Sequence, residues 1–561
     1  MRSKSPQVCR RRAAVCAVLL FTAVLTGEAR AQNLNATVSI NAADPMASMP
    51  PQGLGVCTAV YDNFMARQTK IAPLLKAAGI TAVRYPGGYY GDLYNWQSST
   101  CNGGAYVASG VTFSSFMTGV VNPANAQAVI TVNYGSNPQN NGGGDPAYAA
   151  SWVANANVTN HYVVKYWEIG NEVYSNGYFS GQNFEYDLHY ANQTPSARVG
   201  QAALSPGAYG SNSLQFISDM KAEDPTIQCG VVINAAESNT WNNPLLQAVG
   251  ANADFVILHW FPGSDVASTL AASTTIVPTI QNTLSQLTNV VGAATASRMK
   301  IAITETDAGA WSTGAAVSLF AADNYLTWLE NGIVNVDFQL LHTDMLQDTQ
   351  TPGHAYYGTM MCHLLANVGD PFLEGTSTQS YLRVHATQRQ DGKVGVMLVN
   401  LSPSSAISAA VTISGPTLSA SGTQYQFGLT NFLGTNDNPS YPVSTNTVSG
   451  LGNTFTIPVP AYTIIDLLIP ANTPPVLTAI DDQTGNVGQT VALTASATDA
   501  NQPTPILTFS LLSAPTNASL VQFDNTDAAF SLRPSVSQAS STIPISLAVS
   551  DHGNPPLLRL A

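Results

Sequence analysis

Between residues 53 and 370 the chain alternates short apolar runs with longer helix-like stretches, eight times over. That rhythm limits the fold more than any other feature of the sequence. The strand candidates are 53–60, 80–85, 126–133, 162–174, 227–233, 255–260, 300–304 and 334–341. Helix candidates 70–78, 209–222, 276–291, 315–329 and 356–366 lie among them. A further helix starts where Asp145 can cap and Pro146 can take the first helical position. Apolar β-branched and aromatic runs of this length, stopped by Gly, Pro or Asn, read as buried strands. Eight strand–helix units in about 320 residues is the arithmetic of a (β/α)8 TIM barrel. The other arrangement open to an alternating chain is a doubly wound sheet. No G-x-G-x-x-G follows the first strand, and Gly142-Gly143-Gly144 lacks the Lys-Ser/Thr of a phosphate loop.

After Asp370 the period changes. Short strands at 381–386, 393–399, 409–413, 424–429, 454–458 and 463–469 sit between Gly, Pro, Ser and Asn turns, the pattern of an all-β sandwich. The linker 471–475 leads to a second all-β module over 476–561. It carries Asp481-Asp482-Gln483-Thr484, Ala497-Thr498-Asp499 and Val549-Ser550-Asp551, and resembles the cadherin-like and immunoglobulin-like repeats of bacterial surface proteins. The resemblance implies cell-surface contact and places Asp499, Asn501 and Asp551 at calcium-binding positions. Read on their own, they are solvated turn residues. The chain stops where such a repeat would add a closing strand, so a partial module is expected.

The first 31 residues are a leader. Arg10, Arg11 and Arg12 precede the apolar run 13–25, and Ala29-Arg30-Ala31 is an A-x-A cleavage pattern. This is a secretory signal peptide whose apolar run is too short for a membrane span. Secretion, to the outside, the periplasm or the cell surface, is therefore expected, with the catalytic barrel over 32–370 and the sandwich over 371–470. Cleavage removes six basic residues and one acidic residue, taking the formal net charge from −13 to −18. Such a chain is unsuited to nucleic acid, whereas neutral polysaccharides stay open as partners. Of the four cysteines left, Cys57 and Cys101 are the expected disulfide if a pair forms, and buried free thiols are the alternative. No C-x-x-C spacing exists, so no metal site is expected.

Two carboxylates end apolar runs. Glu172 follows Tyr166-Trp167-Glu168-Ile169-Gly170-Asn171, and Glu305 follows Ile301-Ala302-Ile303-Thr304. At strand tips, both point into the mouth at the C-terminal face of a barrel, which gathers the ends of distant strands. A carboxyl pair in such a mouth suits glycoside hydrolysis. One member donates a proton to the leaving oxygen, and the other attacks the anomeric carbon. A neighbouring like charge raises one pKa and an Arg lowers the other. Arg84, ending the second strand, can supply that cation, or form a plain ion pair within the barrel. Asn171 can hold a sugar 2-hydroxyl. Asp307 is the competing carboxylate on strand seven, with helix capping as its structural role, and Glu168 reads as a structural hydrogen-bonder. No cofactor is needed for this chemistry.

Arg84-Tyr85-Pro86-Gly87-Gly88, Trp167-Glu168-Ile169-Gly170-Asn171-Glu172, His259-Trp260-Phe261-Pro262-Gly263 and Thr304-Glu305 together resemble the large clan of retaining glycoside hydrolases. Within it the chain is most similar to the α-L-arabinofuranosidase group over about 53–470. The resemblance implies Glu172 as acid/base, Glu305 as nucleophile, Arg84 holding the nucleophile, Asn171 on the 2-hydroxyl, and His259 lining the subsite. Trp260, like Trp96 and Trp241, can stack on a sugar face or pack in the core. Two positions depart from the group. A Glu is typical just after strand one, where this chain reads Val56-Cys57-Thr58-Ala59-Val60-Tyr61-Asp62, and an Asn after Pro-Gly-Gly, where Tyr89 stands. β-Xylosidases, β-glucuronidases and endoglucanases of the clan share the same glutamates, and the long loop 175–206 suits an endo-acting groove. The rival class is a non-catalytic carbohydrate-binding or adhesion protein.

Overall fold

The computed structural model describes residues 34–560, apart from 68, 180–184, 236–237, 310–313, 434–437, 501–505 and 552–557. The leader 1–31 and Asn501 lie outside the described residues. Eight parallel strands close into a barrel: β1 (Leu54–Cys57), β2 (Ala82–Tyr85), β3 (Gln127–Val132), β4 (Tyr166–Ile169), β5 (Gln228–Val232), β6 (Phe255–His259), β7 (Lys300–Thr306) and β8 (Asn335–Phe338). The expected strands are all present, seven of them trimmed toward the residues whose backbones pair and the seventh in order, Lys300–Thr306, extended by two residues past Thr304. Their outward side chains, such as Val256, Leu258 and Val336, are buried beneath helices. Each fully buried aliphatic side chain contributes about 1.5–3 kcal/mol.

The surrounding helices differ in composition for a physical reason. Ile276–Val291 buries only Ile276, Ile280, Thr283 and Leu287, the spacing of one face against the barrel. Ala315–Glu330 is buried at every position except Glu330, because the barrel covers one side and the β domain the other. Asp145 caps Pro146–Val153, its side chain accepting from the Ala147 N–H.

The β domain is one continuous nine-stranded sheet around its own core of Val38, Ile40, Val396, Leu398, Val411, Ile465 and Leu467. One of its strands corrects the expected boundary. Leu34–Ser48, inside the span read as barrel, pairs antiparallel with Pro371–Ser377 and parallel with Ile407–Ser414. Its Ala36, Val38 and Ile40 alternate inward, a period of two that belongs to a half-buried strand.

The last module is two small sheets of four and three strands around Ala495, Ala497, Phe509, Ala528, Leu547 and Val549. The strand thought missing is present: Leu558–Leu560 pairs antiparallel with Ser546–Ser550. Asp551 is buried and accepts from Asn472 of the linker at 2.9 Å, so it is no solvated turn residue. The Cys57–Cys101 disulfide is not formed, and all four described cysteines are free. Cys57 points into the barrel and donates to the Thr304 carbonyl at 3.1 Å, whereas Cys101 lies on a separate two-stranded hairpin. No helix of the described residues is long and apolar enough to cross a membrane.

Candidate active site

The turn after β4 is built by Gly170. Its φ is +76°, and a Cβ there would meet Val173 Cγ2 at 2.6 Å and Asp92 Oδ1 at 3.1 Å. Only glycine takes this left-handed step without strain, and the step places Asn171 and Glu172 over the barrel mouth. Glu305 lies within β7, opposite His259 of β6.

Arg84 organises the floor. It is wholly buried, and its three guanidinium nitrogens are all used. Nε donates to Glu168 at 2.6 Å, Nη1 to Glu305 at 2.7 Å and Nη2 to Asn171 Oδ1 at 3.0 Å. Glu168 also accepts from the Thr131 hydroxyl at 2.6 Å, the structural role its place within the strand suggested. The guanidinium fork thus sets the angle of Glu305 and the rotation of the Asn171 amide together.

His259 joins the two candidate catalytic carboxylates. Its Nδ1 lies 2.8 Å from Glu172 Oε1 and 3.7 Å from Glu305 Oε2, and its Nε2 lies 3.2 Å from the Thr304 hydroxyl. Both ring nitrogens therefore face protein groups, so the ring bridges the two glutamates rather than simply lining a subsite. Burial pulls the His259 pKa down, but the charges of Glu305 and Glu172 and the bond to Glu172 outweigh it and raise it. Burial pushes Glu172 up, but the His259 bond and charge, the Tyr174 hydroxyl and Arg84 prevail and hold it below the ordinary carboxylate range.

One atom each from Glu172, His259 and Glu305 lie within 4.8 Å of one another, the only such group of three or more His, Cys, Asp or Glu among the described residues. A cation could fit by distance. The Arg84 guanidinium, already bonded to Glu305, opposes one by charge.

Trp260 turns away from the mouth. Its ring packs edge-on against Trp328 at 5.5 Å and parallel to Phe320 at 6.5 Å, both on the buried helix Ala315–Glu330. Trp241 is fully buried against Tyr209, and Trp96 stacks on Trp152. Aromatic rings near the mouth are instead Tyr61, Tyr89 and Phe261, each at least 41% exposed. Asp307 accepts from the Gly309 N–H at 2.8 Å in a local turn, and among the described residues the next helix, Ala315–Glu330, has Gly314 at its N-cap.

Two acids escaped the sequence reading. Asp92 is buried and accepts the Asn171 backbone N–H at 2.9 Å, and Glu185 is buried and accepts from Asn171 Nδ2 at 2.8 Å. The signal for Glu185 was its setting. It lies in Phe184-Glu185-Tyr186-Asp187-Leu188, acids alternating with apolar groups in a chain only 9% charged.

These features define a class by architecture: a (β/α)8 barrel with a β domain behind it and a carboxylate pair over the mouth. Among solved structures, α-L-arabinofuranosidase from Thermotoga maritima, crystallised with arabinose, shares this fold. It matches at TM-score 0.62 and 15% identity over 77% of this chain and 99% of its own. A bifunctional glucanase-xylanase from a metagenome library matches at TM-score 0.59 and 16% identity, over 78% of this chain and all of its own. A Paenibacillus polymyxa xyloglucanase of glycoside hydrolase family 44 matches at 0.56 and 13%, with the same coverage. At such identities the likeness establishes the fold. No family model matches the sequence, and no curated protein matches it significantly.

Proposed function

We propose that this chain is a retaining glycoside hydrolase acting on plant-type polysaccharides or oligosaccharides, arabinofuranosidase-like in its machinery. One observation carries the reading: an oxygen of Glu172 and one of Glu305 lie within 4.8 Å of each other. Retaining enzymes set their two carboxyls about 5–5.5 Å apart, and inverting ones leave about 6.5–9.5 Å for a water.

In this reading Glu305, aligned by Arg84, attacks the anomeric carbon and forms a glycosyl-enzyme. Glu172 protonates the departing oxygen and later takes a proton from the water that releases the sugar. His259 holds Glu172 toward its ionised form and Glu172 holds His259 toward its charged form, so the two can pass a proton along their 2.8 Å hydrogen bond. Substrate that excludes water favours its return to Glu172, because a neutral pair tolerates desolvation better than an ion pair. Asn171, its amide fixed by Arg84 and Glu185, presents its remaining Nδ2 hydrogen to the sugar 2-hydroxyl. The leader supports export, and the cadherin-like module supports contact with a surface.

A second reading, an endo-acting β-glycanase of the same clan, is supported by the rim. Exposed Tyr61 and Tyr89 stand on the loops after β1 and β2, where the arabinose-gripping Glu and Asn of the arabinofuranosidase group are lacking. Aromatic faces of this kind suit successive sugars of a β-glycan chain. A screen of the purified protein on nitrophenyl arabinofuranoside, xyloside, glucoside and glucuronide, alongside arabinan, xylan and xyloglucan, decides between them. Turnover of the arabinofuranoside supports the first reading, and release of oligosaccharides from polymer alone supports the second. Failure on every substrate would falsify the glycosidase assignment.

A further inference from the structure

Asp92 and Glu185 hold the same residue from two sides. Asp92 Oδ2 accepts the Asn171 backbone N–H at 2.9 Å, while its Oδ1 accepts the N–H groups of Tyr134 at 3.2 Å and Gly135 at 3.0 Å. Glu185 Oε1 accepts from Asn171 Nδ2 at 2.8 Å. Glu185 Oε2 is buried and has no donor among the described residues, and that burial, then the charge of Asp92 beside it, disfavours its ionisation. A single proton between them gives Oε2 a partner and removes one of two adjoining buried charges.

Among the described residues no cation is bonded to the pair. The three nitrogens of Arg84 are spent on Glu168, Glu305 and Asn171. From the 185–189 loop the pair faces Asp187, which is bonded to His189, and from the strand tips it faces Glu172 and Glu305. Every carboxylate in that set discourages a second ionisation.

We propose that Asp92 and Glu185 share one proton and act together as a positioning element for Asn171, locking both its backbone and its side-chain amide. This rests on the glycosidase reading for its effect on turnover, but not for the proton itself. Burial, then repulsion by nearby acids, pushes Asp92 up to about 7 and Glu185 well above its ordinary value. Both shifts are upward, so the pair keeps a proton well above the ordinary carboxylate range and gives it up only on the alkaline side. Its loss drives the two carboxylates apart and frees Asn171, so turnover falls on the alkaline side through a group that never touches substrate.

Glu185→Gln tests this, because the amide keeps both bonds: Oε1 accepts from Asn171 and Nε2 donates to an ionised Asp92. Infrared difference spectra of the full chain between pH 5 and 9 should show a protonated-carboxyl component in the wild type that weakens toward alkaline pH and is missing in Glu185→Gln, while the contributions of the other buried acids, Asp337 and Asp466, stay. In kcat/KM against pH, Glu185→Gln should stay within about threefold of wild type at pH 5.5 and hold its activity to higher pH. Glu185→Ala should lose about tenfold or more at every pH, through misplacement of Asn171. The proposal is overturned if that component is unchanged in Glu185→Gln, or if Gln costs as much as Ala with an unshifted pH profile. A wild-type chain inactive on every glycoside would sink the glycosidase reading alone, leaving the infrared result to decide the proton pair.

Discussion

Two histidines of this chain are each buried between acidic partners, and they do opposite work. His259 sits against Glu172 and Glu305 at the barrel mouth, where the Glu172 side chain keeps 25% of its surface exposed. His385 of the β domain sits 3.1 Å from Asp323 and 3.0 Å from Glu330, both on the helix that packs against it. Asp323 is sealed further by the Ser273 hydroxyl at 2.5 Å and by Arg383. The residue types are the same, but the acid at the mouth is more open to an incoming molecule, 25% for Glu172 against 4% for Asp323 and 15% for Glu330. Where protein groups hold both oxygens of the acid, as at Asp323, the cluster serves to bind two domains together. Where one is left open, its proton is available for chemistry.

The comparison breaks most sharply at the glutamates. Glu305→Gln should lower kcat by about 10³-fold or more with the fold intact, because an amide cannot form the glycosyl-enzyme. Glu172→Gln should cost about 10²–10⁴-fold, with less loss on substrates whose leaving group needs no proton. A binding protein would keep its affinity for polysaccharide in both variants, measured by calorimetry. Changing Arg84→Met attacks the floor beneath the pair. Glu168 and Glu305 would then lie buried without their cation, at about 3–5 kcal/mol of stability. Urea denaturation would show it, and an unchanged midpoint would contradict the role assigned to Arg84.

The sealed histidine should be visible in stability alone. Burial lowers the His385 pKa, but Glu330 and Asp323 overcome this and raise it to about 10 from an ordinary 6.5. A group whose folded pKa is raised stabilises fully below the unfolded value and loses that contribution as pH climbs through the folded one. The melting temperature should therefore hold up to about pH 6.5 and then fall toward pH 10. His385→Gln should flatten that slope without altering kcat measured at pH 6. The smallest effect is expected at Trp260→Phe, which removes part of a packing contact with Trp328 and Phe320. It should cost about 1–2 kcal/mol and leave KM unchanged. A raised KM would mean that the ring meets substrate after all.

Much of the barrel was legible because its signal is local. Each buried strand is a short apolar run, each stop is a Gly, Pro or Asn, and Asp145-Pro146 announces a helix start. The Leu34–Ser48 strand was misassigned because its alternation says only that it is a half-buried strand. Nothing in those residues names a partner that begins at Pro371. Cys57 and Cys101 were paired on expected nearness. The direction of a side chain, inward for Cys57, is settled by the pleat and register of the strand. Trp260 was drawn toward the mouth by its neighbour His259, yet adjacent strand residues face opposite ways.

The sequence by itself determined the eightfold alternation and the two glutamates at the ends of apolar runs, because periodicity and strand termination are properties of neighbouring residues. Tertiary structure alone decided that Arg84 would hold Glu168, Glu305 and Asn171 at once, that His259 would bridge Glu172 and Glu305, and that Asp92 and Glu185 would meet around Asn171. Those contacts join residues 14 to 221 positions apart. Closing the barrel brings them together, and no local preference encodes which side chains will then face one another.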